Sequence, residues 1–108
     1  METIETVRQR ALARLEAKAL EVRARSKDRF WQNGPYNVQR WVERGYNSAI
    51  DTVQQTAPAA GEAPADYIDR LAAKVYSSRE YGPDADDEGW FSGAIDDACS
   101  IIRDSKPM

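Results

Sequence analysis

The stretch TIETVRQRALARLEAKALEVRARSKDRFW, residues 3–31, decides the fold. Neither Pro nor Gly interrupts it, strong helix formers dominate it, and Ile4, Val7, Ala11, Leu15, Ala19 and Val22 recur at three- and four-residue steps. That spacing predicts one long amphipathic helix from about Thr3 to Trp31, capped by Thr3 or Thr6 and stopped at Asn33-Gly34-Pro35. Its span is about 42 Å at the helical rise, against about 25 Å for the later helices, so part of it is expected to project beyond its own bundle.

Three shorter helices follow from the same reasoning. The second runs from the cap Asn37 to Gln55, with Val38, Trp41, Val42, Ala49, Ile50 and Val53 on one face. A third, from Ala65 to Arg79, turns Ile68, Leu71, Ala72 and Val75 inward, flanked by Tyr67 and Tyr76, and stops at Tyr81-Gly82-Pro83. The fourth, from Asp87 to Arg103, buries Phe91, Ala94, Ile95, Ala98 and Ile102. With no alternating strand pattern, the fold class is all-α: a four-helix protein built from two αα-hairpins, with a long first helix. The first hairpin spans about 3–56 and the second about 65–104 of a single domain. The small, turn-rich residues 57–64 read as a flexible connection between them. The halves echo each other weakly. Gly34-Pro35, Trp41 and Ala49-Ile50-Asp51 parallel Gly82-Pro83, Trp90 and Ala94-Ile95-Asp96 at a spacing that differs by three residues.

Composition narrows the chemistry. A 108-residue chain that is 42% hydrophobic supports one modest core without staples. The single cysteine, Cys99, rules out an intramolecular disulfide, and the absence of histidine rules out the usual Cys/His zinc spacings. No signal-peptide core or apolar span is present in the sequence, so a cytoplasmic location without a membrane partner is expected. Without histidine, a Gly-rich phosphate loop or a base beside Cys99, the chain reads as a non-enzyme that needs neither cofactor nor metal. Asp84-Ala85-Asp86-Asp87-Glu88-Gly89 resembles the start of a calcium loop, but the bidentate acid such a loop needs falls on Ile95.

Charge is divided along the chain: residues 1–44 hold ten Lys/Arg against six Asp/Glu, and residues 45–108 hold five against twelve. Three sets of candidate residues follow. The first is a partner-binding set of aromatic and basic residues about the first turn, Trp31, Tyr36, Arg40 and Arg44, with an acidic patch of Asp84, Asp86, Asp87 and Glu88. Core packing and helix-lead solvation are the bland alternatives for the same residues. The second set is the basic stripe Arg10, Arg14, Lys18, Arg25 and Arg29, which could follow a phosphate backbone or be spent on internal pairs. The third is Ala13, Ala17, Leu20 and Ala24, a second apolar face on the first helix suited to self-association, or an ordinary alanine-rich surface. Together they predict a protein-binding adaptor or inhibitor that docks on a larger macromolecule, such as a mobile-element regulator of nucleic-acid-handling machinery. A nucleic-acid-binding module and a self-assembling structural subunit, for instance a homodimer, are the alternatives.

Overall fold

A computed structural model of the chain describes residues 2–24, 38–78 and 90–107, with the backbone alone at 38–40 and 90. Four helices are present among these residues and no strand: α1 (Ile4–Ala24), α2 (Val38–Gln55), α3 (Pro64–Ser77) and α4 (Trp90–Arg103). At 21 residues α1 is the longest. The expected extension of α1 to Trp31 and the acidic lead into α4 lie outside the described residues.

Local chemistry sets the helix ends. Thr3 caps α1, its Oγ1 accepting the Thr6 N–H at 3.2 Å. Pro64 opens α3 at its first turn, where a missing N–H costs nothing. At its end, Ser78 Oγ donates to the Val75 carbonyl at 2.6 Å.

The apolar stripe read from α1 is the one that is buried: Val7, Ala11, Leu15, Ala19 and Val22. All four helices contribute to a single core, and the most extensive contact joins α2 to α4 rather than the two helices of either hairpin. Gly45 explains how closely these two approach. A Cβ placed there would lie 2.5 Å from Ala94 Cβ and 3.1 Å from the Phe91 carbonyl oxygen. The seam is continued by small residues, Ala49 on α2 and Ala98 on α4, both fully buried. Tyr67, expected at the flank of α3, is fully buried and donates its hydroxyl to the Thr56 carbonyl at 2.7 Å.

The connection between the hairpins is tied by one carboxylate. Gly61 takes the left-handed backbone at φ 75, letting the chain reverse. Glu62 Oε1 accepts the Ala59 N–H at 2.9 Å, and both Glu62 oxygens accept from Arg70, at 2.8 Å each. Arg70 Nη2 also reaches the Ala57 carbonyl at 2.8 Å. The Arg70 hydrogen bonds, followed by that from Ala59, hold the Glu62 carboxyl down from 4.5 to about 2. Because the folded value is depressed, this bond set stabilises the fold fully above pH 4.5 and ceases to do so as pH falls toward 2. Glu62→Gln is therefore expected to flatten the acid limb. Thermal midpoints of parent and variant should separate above pH 4.5 and converge near pH 2, whereas parallel curves would refute the role of the clamp.

Candidate functional site

Three guanidinium groups of α1, those of Arg8, Arg10 and Arg14, gather at the end of the bundle where α2 and α4 finish. Arg8 Nη2 donates to the carbonyls of Val53 at 3.2 Å and Gln54 at 2.7 Å. Arg14 Nη1 donates to the Asp104 carbonyl at 2.8 Å, and Arg10 Nη1 to those of Ser105 and Lys106, each at 3.3 Å. Arg10 also pairs with Glu2. Terminal carbonyls lack helical partners and carry the negative end of the helix dipole, so a cation supplied by another helix satisfies both demands. This end of the bundle is held together by arginine side chains across the fold.

Two members of the predicted basic stripe, Arg10 and Arg14, are thus engaged inside the molecule. Lys18 lies 3.7 Å from Glu21, and Arg25 and Arg29 lie outside the described residues. Further along, Arg23 Nε reaches Glu43 at 2.9 Å and bridges α1 to α2. The ion pairs Glu2–Arg10, Arg23–Glu43, Glu62–Arg70 and Asp69–Lys106 each join residues of the same charge-biased half.

The partner-binding set divides differently. Arg44 is exposed on α2, its guanidinium 6.0 Å from the Trp41 ring centroid, which is stacking distance for a cation over an indole. Arg40 stands one turn earlier on the same helix. Trp31, Tyr36, Asp84, Asp86, Asp87 and Glu88 lie outside the described residues.

The third set is brought together on one exposed face. Ala13, Ala17, Leu20 and Ala24 all face solvent, and Leu20 is 63% exposed. Tyr76 on α3 is the other large exposed hydrophobic residue among those described, at 51%. Comparison with family models, curated proteins and solved structures finds no match to this chain. The assignment of a role therefore rests on these surfaces alone.

An open depression of about 240 Å³ between α2 and α3 is lined by Thr52, Gln55, Thr56, Lys74 and Ser77, which offer hydroxyls, an amide and one ammonium. Among the described residues no group of three or more potential metal ligands assembles. None of the described helices is long and apolar enough to cross a membrane. Cys99 is buried, with its Sγ 3.4 Å from the Ala72 carbonyl oxygen. The sequence reading missed Gly45, Arg8, Arg70 and Glu62, the residues that fix how the helices meet; their roles need a partner distant in the chain, and only the unusual glycine inside α2 was visible beforehand.

Proposed function

We propose that this chain is a non-catalytic adaptor or inhibitor of the cytoplasm that docks on a larger protein. The observation that carries this reading is the outer face of α1. There Leu20 stands 63% exposed within a row of exposed alanines, while the opposite face of the same helix fills the core. A leucine presented beside Ala17 and Ala24 and rimmed by the exposed charges of Glu16 and Arg23 suits a partner's apolar pocket with a polar edge. Engagement of Arg10 and Arg14 on main-chain carbonyls weighs against the nucleic-acid alternative, which needs those charges for phosphates. The exposed row also favours a second reading, in which Ala13, Ala17, Leu20 and Ala24 meet the same face of another copy.

Capture of partners by the tagged full-length chain, with and without nuclease and beside a Leu20→Glu variant of equal helicity, tests the proposal. A stoichiometric protein that survives nuclease and is lost from the variant is expected. Recovery of nucleic acid alone overturns the proposal, and so does recovery of the bait alone. In the latter case a concentration-dependent mass abolished by Leu20→Glu would establish the second reading.

A further inference from the structure

Two short sets of exceptional residues match across the halves. The buried polar residues among those described are Thr56, at the end of α2, and Ser105, at the end of α4. The large exposed hydrophobic residues are Leu20 on α1 and Tyr76 on α3. Each half supplies one of each kind.

The correspondence extends to part of both helices of the hairpin. Setting residues 11–22 on 67–78 aligns Arg14-Leu15 with Arg70-Leu71 and Ala17-Lys18 with Ala73-Lys74. Setting 41–58 on 90–107 aligns Trp41 with Trp90, Ala49 with Ala98 and Pro58 with Pro107. In this register the buried positions coincide, Val42 with Phe91, Gly45 with Ala94, Tyr46 with Ile95 and Val53 with Ile102. The register suggested by the Ala-Ile-Asp triplets of residues 49–51 and 94–96 is one helical turn away; it also sets buried Tyr46 on Phe91 and Val53 on Ala98, but it pairs neither Thr56 with Ser105 nor Pro58 with Pro107.

Hydrogen bonds obey the same rule. Thr56 Oγ1 donates to the Thr52 carbonyl at 2.6 Å, and Ser105 Oγ donates to that of Ile101, its counterpart, at 3.0 Å. Arg70 from α3 seizes the chain just past α2, and Arg14, its counterpart on α1, seizes the chain just past α4. Contacts α1–α2 and α3–α4 are similar in extent, and so are α1–α4 and α2–α3. Most telling is the tight contact of α2 with α4 at which Gly45 faces Ala94. A residue meets its own counterpart only on a symmetry axis.

We infer that the chain is a tandem pair of one αα-hairpin, related by a two-fold axis between Gly45 and Ala94, and that the α2–α4 seam is a self-complementary surface made for a second copy of that hairpin. Here the same chain supplies the second copy. The two-fold is broken at the seam's polar edge, where Tyr46 bonds Asp97 while their counterparts are Ile95 and Ser48.

Exchanging seam residues in the full-length chain tests this. Gly45→Ala, Val53→Ile and Thr56→Ser together give three buried positions of the first hairpin the second one's residues. Alanine then faces alanine on the axis, and the thermal midpoint is expected to fall by about 10 °C. Adding Ala94→Gly, Ile102→Val and Ser105→Thr completes the exchange at these three pairs, so that each exchanged residue enters a setting its counterpart already filled. Recovery to within about 4 °C of the parent is expected. A full exchange no more stable than the half exchange overturns the inference, as does a half exchange that matches the parent.

Discussion

Tyr67→Ala is expected to lower stability by about 4 kcal/mol, the cost typical of emptying a buried aromatic site. The ring is fully buried, and it lies where the first turn of α3 meets the end of α2. Truncation removes the apolar contacts, leaves a cavity that rigid neighbours cannot close, and strips the Thr56 carbonyl of its donor. Tyr67→Phe separates these contributions. Only the 2.7 Å hydrogen bond is lost, at a cost of about 1–2 kcal/mol. Urea unfolding followed by circular dichroism reads both variants, and a Tyr67→Ala protein within 1 kcal/mol of the parent (about 5-fold in the folding equilibrium) would contradict the buried placement.

Gly45→Val should cost about 3 kcal/mol. Two effects oppose each other. Valine is a better helix former than glycine by about 0.5 kcal/mol, which by itself favours the variant. Against that, a Cβ at this position lies 2.5 Å from Ala94 Cβ and 3.1 Å from a main-chain oxygen, neither of which can swing aside. Packing strain wins, and the α2–α4 seam must open. Gly93 supplies the control, since nothing lies within 4 Å of a Cβ added there. Gly93→Ala is expected to raise stability by about 1 kcal/mol through helix propensity alone. Opposite signs for the two glycines would show that the close approach, rather than glycine content, governs these helices.

Much of the fold was legible because it is periodic. The buried faces of α1, α3 and α4 are those marked by three- and four-residue spacing, and Gln55 and Arg103 end their helices where expected. What periodicity could not show is anything that depends on a partner far along the chain. Tyr67 looked like a flanking residue because its partner, the Thr56 carbonyl, belongs to another helix. Arg10 and Arg14 formed part of a surface stripe on a wheel drawn for α1 alone, although the carbonyls they serve lie beyond α4. Residues 57–64 had the composition of a loose linker, yet Pro64 already belongs to α3, and Glu62 with Arg70 ties the preceding residues into a clasp. For the candidate site, the exposed row from Ala13 to Ala24 followed from its angular separation from the core face, a property of one helix.

The lone thiol gives this architecture a built-in clock. Cys99 is 3% exposed, and its sulfur faces the Ala72 carbonyl oxygen across the α3–α4 contact. A thiol reagent can reach it only when those helices part, so the rate of modification measures how often the second hairpin breathes. The natural chain therefore reports its own opening, without an introduced probe, at a place where α3 meets α4.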